Sequence, residues 1–322
     1  MSEPFLSFEG VRVVGGYRWI EATRRRDTPP GTPPEWFLTD QPSARPGRPY
    51  ELFHDAPAAF QEFGATPLDR DGILSFAERY GNLGGPHAPE LLDVPGLHAV
   101  WGVSWARWQG EIKAMRLAAA LWGAIQATRE GDTDALRSII RWTQPQRVEY
   151  FSPAVDDLPA GTVQKVIASR SPDMYPERLA WLRPGDLLAP ALQELQRDVN
   201  LRLDEETATR LQWDDNHAGL RVQLVPRGLL GGVWLQLAHA IAANQVFRRC
   251  AQCGTWFAVH PGGRDTGRTS RQFCSESCRG RAYRGRIAEA RRLAAQGATP
   301  EAIAGAVGSE AATVRGWLAD SR

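Results

Sequence analysis

The four cysteines of this 322-residue chain are the residues whose spacing points most directly to chemistry. Two residues separate Cys250 from Cys253; after twenty more residues comes Cys274, and three residues then separate it from Cys278. Zn²⁺ prefers four ligands in a tetrahedron, and cysteine thiolates bind it at about 2.3 Å. The spacing therefore predicts one structural zinc ion bound by Cys250, Cys253, Cys274 and Cys278.

Other interpretations of the cysteines remain open at this stage. The four thiols could form two disulfides, or the first pair could be a redox C-x-x-C, although a redox motif would not need the second pair. His260 lies between the two pairs and could replace one ligand. Four thiolates leave no position for a catalytic water, which favours a structural site over a catalytic one.

The residues around the cysteines predict the elements that position them. An aromatic strand is expected over 255–259, a glycine-rich turn over 260–267, and a helix that begins near Ser275 and Glu276. A C-x-x-C turn would place two sulfurs on one side of the metal. The second pair, in the first turn of a helix, would close the other side.

These segments also resemble a known family. The stretches RRCAQCGTWFAV and RQFCSESCRGRAYRGR resemble the zinc finger of bacterial CGNR-type proteins and related C-terminal fingers with the signature C-S-x-x-C-R-x-R-A-Y-R-x-R. The family's Cys-Gly-Asn-Arg is here Cys278-Arg279-Gly280-Arg281, and the first cysteine pair is more tightly spaced. The resemblance implies a treble-clef-like finger made of a knuckle, a hairpin and a helix, in a DNA-binding or regulatory protein.

A dense group of arginines follows the last cysteine. Six of them fall within fourteen residues, where Glu289 is the one acidic residue: Arg279, Arg281, Arg284, Arg286, Arg291 and Arg292. Arginine is well suited to bind phosphate, and an arginine-rich helix can follow a nucleic-acid backbone. The group predicts contacts with DNA phosphates. The alternative is a solvated helix face with internal ion pairs.

The last segment predicts three packed helices. Thr299 can cap a helix over Pro300–Val307, Gly308 and Ser309 form a turn, and a final helix covers 310–319. The residues expected to point inward are Ile303, Ala304, Val307, Val314 and Leu318.

This segment resembles the helix-turn-helix of resolvase-, invertase- and transposase-type proteins. Their pattern I-A-x-x-L-G-V-S-x-x-T-V-x-R-x-L is matched here at Ile303-Ala304, Val307, Gly308, Thr313-Val314 and Leu318. The resemblance implies that Ala311, Ala312 and Arg315 reach base edges in the major groove and that Thr313 lies near a phosphate. The alternative is a trihelical packing or dimer module.

The first 247 residues carry no recognisable catalytic motif. They lack G-x-S-x-G, G-x-x-x-x-G-K-[ST] and H-E-x-x-H, and no G-x-G-x-x-G follows a strand. We therefore expect no catalytic residues and no enzyme; the alternative is an enzyme of unrecognised class in the N-terminal region. Large apolar residues, three of them tryptophan, recur at helical spacing over 104–130, which predicts a long helix with a buried face. A planar ligand bound along this stripe is the alternative.

Weaker patterns predict the other elements of this region. They are two strands within 5–20, a long loop over 27–49, helices over Arg70–Tyr80, 132–142, 186–203 and 230–247, two strands within 147–168, and a strand over 220–225.

The distribution of charge and hydropathy along the chain predicts the kind of partner and the location of the protein. Residues 248–322 hold 13 Arg against 6 acidic residues, a net charge of +7, whereas residues 1–247 hold 25 basic and 31 acidic residues, a net charge of −6. A basic tail on an acidic body suggests an anionic partner for the tail. No signal peptide opens the chain, and its most apolar stretch is too short and polar to span a bilayer, so we expect a cytoplasmic protein without membrane contact.

The combined prediction is an α+β protein with a mainly helical N-terminal region, a treble-clef-like zinc finger and a C-terminal trihelical helix-turn-helix. Its expected segments are 1–145, a tryptophan-rich region; 146–247, an α+β region; 248–287, the finger with its arginine-rich helix; and 288–322, the helix-turn-helix. We expect a transcriptional regulator that binds double-stranded DNA, with a protein partner or effector at the N-terminal region and a homodimeric state open. The alternative is an interaction or assembly factor that uses the finger and trihelix for docking.

Overall fold

The structure is a computed structural model that describes residues 8–25, 29, 31–84, 89–94, 100–144, 147–155, 158–169, 183–214, 219–259 and 271–319. The chain forms two compact units, Met1–Ala243 and Asn244–Arg322. It is 47% helical and 28% strand, which confirms the α+β class. Within the described ranges, no helix is both long and apolar enough to cross a membrane.

The first unit opens with short antiparallel strands. Its first six strands are β1 (Glu9–Val14), β2 (Tyr17–Arg24), β3 (Glu35–Asp40), β4 (Arg45–Glu51), β5 (Glu90–Asp93) and β6 (Val100–Ser104). Strand β1 pairs with β4, and the other four close into a small barrel in the order β2-β3-β6-β5. Phe37 and Leu92 are buried inside this barrel together with Ala22.

The prediction of a loop over 27–49 is wrong for much of its length. Strand β3 forms there because its apolar residues Phe37 and Leu38 are buried in the unit. Strand β4 tolerates Pro46 and Pro49 because it pairs with β1 alone, so one of its edges needs no backbone N–H donors. The proline-rich composition is thus compatible with an edge strand.

The described residues of this unit also form seven helices: α1 (Leu52–Asp55), α2 (Ala59–Gly64), α3 (Arg70–Tyr80), α4 (Trp105–Arg129), α5 (Asp134–Ile139), α6 (Leu188–Glu206) and α7 (Leu229–Ala242). Ser104 caps α4 by accepting a hydrogen bond from the Arg107 N–H at 3.2 Å. Trp108, Ile112 and Met115 are fully buried, so the interpretation of the tryptophan-rich stripe as core packing is confirmed for them.

Five further strands lie in the part of the first unit that the structure describes. They are β7 (Ile140–Gln144), β8 (Arg147–Phe151) and β9 (Gln164–Ser169), which form one antiparallel sheet, and β10 (Thr207–Asp214) and β11 (Gly219–Pro226), which form a hairpin. The helix predicted over 132–142 ends at Ile139, because Ile140 begins pairing with Tyr150 of β8. The helix predicted over 230–247 ends at Ala242, before Asn244 adopts a left-handed φ of 51°.

Over 244–259 and 271–319, the second unit forms two strands and three helices: β12 (Val246–Arg249), β13 (Trp256–Val259), α8 (Glu276–Ala295), α9 (Pro300–Val307) and α10 (Ala311–Ala319). The helices enclose a core of Ala290, Ile303, Ala304, Val314 and Trp317, against which Val307 and Leu318 are partly buried. The predicted inward residues are therefore found at this core, which also contains Trp317, a residue that the sequence pattern did not predict.

Candidate metal centre and nucleic-acid interface

The first cysteine pair lies in the tight turn between β12 and β13. These strands pair antiparallel, with Arg249 opposite Trp256, and Cys250 follows β12 directly. The turn is closed by two backbone hydrogen bonds, from Cys250 N–H to the Thr255 carbonyl and from Gly254 N–H to the Cys250 carbonyl, both 2.9 Å. Gly254 has a φ of +72°, a conformation that glycine adopts without strain.

The second pair lies at the start of α8. Ser275 caps this helix and accepts a hydrogen bond from the Cys278 N–H at 3.2 Å, which places Cys278 in the first turn. Arg271 holds the preceding segment by donating to the Phe273 carbonyl at 2.7 Å. A backbone hydrogen bond of 2.9 Å from Ala251 to the Gln272 carbonyl ties the two cysteine segments together.

The four sulfurs form one compact group. All four Sγ atoms lie within 4.8 Å of one another, with 3.6 Å between Cys253 and Cys274 and 3.5 Å between Cys274 and Cys278. A tetrahedron with metal–sulfur bonds of about 2.3 Å has sulfur–sulfur edges of about 3.8 Å, close to these distances. The cysteines are free thiols, so the disulfide alternative is not realised. His260 lies outside the described residues.

The environments of the four thiols differ. Cys250 and Cys278 are buried, Cys274 is half-buried and Cys253 is exposed. At Cys250, desolvation opposes the thiolate, but hydrogen bonds from backbone groups of Cys274 and Cys253 outweigh it and lower the pKa to about 6. At Cys274, desolvation and the neighbouring thiols raise the pKa to about 12. A cation among the sulfurs would favour the thiolate form of all four cysteines, and bound Zn²⁺ would supply that charge.

The arginines of α8 lie on two different faces. Successive helical residues are about 100° apart, so Arg281, Arg284, Arg291 and Arg292 fall within a sector of about 100°. We call these four residues the arginine face. Arg279 and Arg286 point to a different side of the helix by the same geometry. All six side chains are exposed.

Ion pairing separates the arginines further. Arg279 pairs with Glu276 at 2.5 Å, and Arg292 donates to Glu289 with Nε–Oε2 of 2.8 Å. The Arg286 guanidinium lies 5.9 Å from the centre of the Tyr283 ring. In the part of the chain that the structure describes, Arg281, Arg284 and Arg291 have no acidic partner. These three guanidinium groups are therefore available to an anionic ligand.

Helix α10 presents a nearly uncharged surface. Ala312, Arg315, Gly316 and Ala319 are exposed and share one sector of the helix, whereas Ala311 is half-buried against the three-helix core. Thr313 is exposed on a different side. The Arg315 guanidinium pairs with Glu301 of α9 at 2.5 Å. Of the residues expected to contact DNA on this helix, one is charged, and its charge is balanced within the unit.

Sequence reasoning missed the buried ionic clusters of the first unit. Glu111 of α4 forms ion pairs with Arg107 at 3.3 Å and with Arg202 at 3.2 Å. Arg107 also pairs with the fully buried Glu206 at 3.2 Å. Desolvation raises the pKa of Glu111, although both arginines oppose the shift. Sequence reasoning gave no signal for the cluster because two of its ion pairs, Arg202–Glu111 and Arg107–Glu206, join residues more than ninety positions apart, and only Arg107–Glu111 is local.

A cleft lies beside the small barrel of the first unit. Its cavity volume is about 680 Å³, within the usual range for ligand sites, and its lining includes Phe37 and the exposed Trp101. Arg24 lies in its wall and pairs with Glu90 and with Glu35, the latter at 3.2 Å. We expected an effector at the N-terminal region, and this cleft is large enough to hold a small ligand.

Comparison with known proteins adds no family assignment. The chain matches no protein-family model, no curated protein and no solved structure.

Proposed function

We propose that this is a cytoplasmic zinc-containing DNA-binding protein that acts as a transcriptional regulator. The observation that carries the proposal is the arginine face of α8, a helix whose first turn contains Cys278 of the thiol group. Phosphates are the anions that several unpaired guanidinium groups along one helix recognise best. A ligand in the barrel cleft, or a protein partner on the first unit, would provide the regulation.

The zinc ion has a structural role in this proposal. Zn²⁺ would be bound by Cys250, Cys253, Cys274 and Cys278, and its charge would stabilise their thiolates. Because Cys278 belongs to α8, binding would fix the β12–β13 turn against the start of this helix. The arginine face would then be held in one orientation for contact with the DNA backbone.

The test compares two double variants of the full chain on the same helix. Arg281→Ala/Arg284→Ala removes two unpaired arginines of the arginine face, and Arg279→Ala/Arg286→Ala removes two exposed arginines outside it. The first variant should lower affinity for unrelated duplexes alike, since phosphate contacts carry no sequence information. It should also reduce the slope of log K against log salt by about 2, as each lost phosphate contact removes about 0.9.

The second variant serves as the matched control, with the same loss of charge and the same gain in helix propensity. It should change affinity and salt slope much less. Equal effects of the two variants would show that net charge alone attracts DNA. Absence of DNA binding by the wild-type chain at low salt would reject the proposal.

A second candidate is a protein-interaction or assembly factor. It is favoured by α10, where Arg315 is paired with Glu301 and the rest of the exposed sector consists of alanine and glycine. Selection of binding sites from random duplexes distinguishes the two candidates. If Arg315 reads a base, Arg315→Ala should blur the motif at one position, at a cost of about 1–3 kcal/mol. If the wild-type chain selects no motif, α9 and α10 are better interpreted as a docking module.

A further inference from the structure

The β10–β11 hairpin exposes an apolar face. Leu211 lies opposite Val222 in the pairing register, and Trp213 lies opposite Leu220, so these four side chains share one side of the sheet. Their exposed fractions are 63% for Leu211, 73% for Val222, 60% for Trp213 and 62% for Leu220. We call these four residues the hairpin patch.

The patch is confined to the outer half of the hairpin. Nearer its base, on the same side of the sheet, Thr207 and Pro226 form a register pair and are both buried. In the outer half, the opposite side carries mostly polar residues, among them Arg210 and its register partner Gln223. Apolar and polar side chains thus alternate along the outer half of the hairpin, a pattern typical of a sheet with one face covered. Here the apolar side of the outer half is exposed.

We propose that a second copy of this chain covers the hairpin patch, so that the protein is a homodimer through paired β10–β11 hairpins. Four large apolar side chains that are each about three-fifths exposed or more present on the order of 500 Å² of surface, more than isolated exposed residues do. Two such patches together bury on the order of 1,000 Å², the lower limit for a specific interface.

The chemistry of the patch suits contact with itself. A two-fold interface joins the same surface of both copies, so a charge near its axis would lie close to the like charge of the other copy. The hairpin patch contains none. Packing two hairpins face to face in opposite directions would place Trp213 of one copy over the smaller Leu211–Val222 pair of the other. Large side chains would then meet smaller ones, which is how two sheets interdigitate about 10 Å apart.

The test measures the oligomeric state of the full chain by sedimentation velocity from about 1 to 100 µM. The wild-type chain should show a concentration-dependent dimer. Leu220→Thr/Val222→Thr keeps residues tolerated in strands but places hydroxyl groups in the patch. It should raise the dissociation constant about 100-fold, because each dimer contains four such changes.

The matched control is Val14→Thr/Val166→Thr, which changes two exposed valines on other strands and should leave the dimer intact. Circular dichroism establishes that both variants fold. As a second readout, wild-type amides over 207–226 should exchange hydrogen more slowly at high protein concentration than at low concentration.

Three outcomes would overturn the proposal: a wild-type chain that stays monomeric at 100 µM, a dimer that survives Leu220→Thr/Val222→Thr, or hairpin exchange that is independent of concentration. A monomer would leave the patch to a different partner. None of these measurements involves DNA, so the dimer and the proposed function fail or succeed separately.

Discussion

At the scale of single residues, two acidic side chains that look alike in the sequence differ in how deeply their carboxylates are buried. Lys165 of β9 donates to Glu194 at 2.7 Å and to Asp198 at 3.0 Å. The Glu194 side chain is fully buried, whereas that of Asp198 is one-third exposed. A buried carboxylate depends on its partners far more than one that water can solvate.

We therefore expect Glu194→Gln to lower the free energy of unfolding by about 3 kcal/mol, because it removes a fully buried carboxylate that pairs with both Lys165 and Arg197. Asp198→Asn changes the other partner of the same lysine and should cost about 1 kcal/mol or less. Urea unfolding at pH 7 measures both. Equal losses would contradict this distinction.

The same cluster predicts a pH dependence. Desolvation lowers the pKa of Lys165, but the hydrogen bonds that its ammonium group donates to Glu194 and Asp198 outweigh this effect and raise the pKa above 10.5. A raised pKa means that the folded state holds the proton more tightly than the unfolded state. The stability from this lysine is thus complete below pH 10.5 and decreases as pH rises through the folded pKa. The difference in stability between wild type and Glu194→Gln should shrink in alkaline buffer.

How far the sequence predicts single residues depends on whether the signal is local. The four cysteines were identified from spacing alone, because their turn and helix start are short-range features. Trp317 was missed as a core residue because its burial depends on Tyr283, whose hydroxyl accepts its indole N–H at 3.0 Å. The pairing of Arg315 with Glu301 was missed for the same reason.

At the scale of elements, the connection between α9 and α10 shows how one backbone conformation ends a helix. Gly308 has φ and ψ of 61° and 47°, and its N–H donates to the Ala304 carbonyl. Gly305, three residues earlier, lies inside α9. Apart from neighbouring residues of the chain and the backbone of its own helix, no heavy atom of the described residues lies within 4 Å of a Cβ added at either glycine.

The same substitution should therefore have opposite effects at these two glycines. Gly308→Ala should destabilise the three-helix segment by about 1 kcal/mol, because alanine is strained in the left-handed region. Gly305→Ala should stabilise it by about 0.5–1 kcal/mol through helix propensity. Hydrogen exchange of the α9 and α10 amides measures both. A loss at Gly305 would show that its exposed surface has an unrecognised contact.

Secondary-structure elements were predicted correctly where the hydrophobic periodicity and the capping residues indicated the same bounds. Helices α3, α4 and α9 have strong periodicity and clear terminal signals, and their predicted bounds agree with the structure to within a residue or two. Strands β3 and β4 were not predicted, because proline and glycine near an edge strand look like a loop. Strand β10 was also missed, since its hairpin is defined by pairing with β11.

At the scale of the whole molecule, charge and cysteine content divide the chain in the same way. The acidic residues dominate 1–247, while residues 248–322 carry a net charge of +7 and all four cysteines. Phe257 and Val259 are the buried apolar residues that pack beside the thiols. So small a core gives little hydrophobic stabilisation, so we expect the folding of this region to depend on a bound metal.

Removal of metal should accordingly act on one part of the molecule. We expect one zinc per chain by elemental analysis, and Cys274→Ser should reduce this to a small fraction. Ser277→Ala, an exposed neighbour on α8, should retain it. Hydrogen exchange should accelerate over 246–259 and 271–281 in Cys274→Ser, because metal binding and local folding are coupled. A chain purified without chelator that contains no zinc would contradict the metal assignment.

Helix α8 is continuous from the Ser275 cap to Ala295, so it connects the thiol group and the three-helix core through a single screw axis. Cys278 and Ala290 are twelve residues apart, about 18 Å along that axis. Each residue inserted between them would advance the far end by about 1.5 Å and also rotate it by about 100°. Distance and azimuth cannot be changed independently. The length of this helix therefore sets the rotation about its axis that relates the cysteine group to helices α9 and α10. Seven inserted residues would nearly restore this rotation, whereas a single one would not.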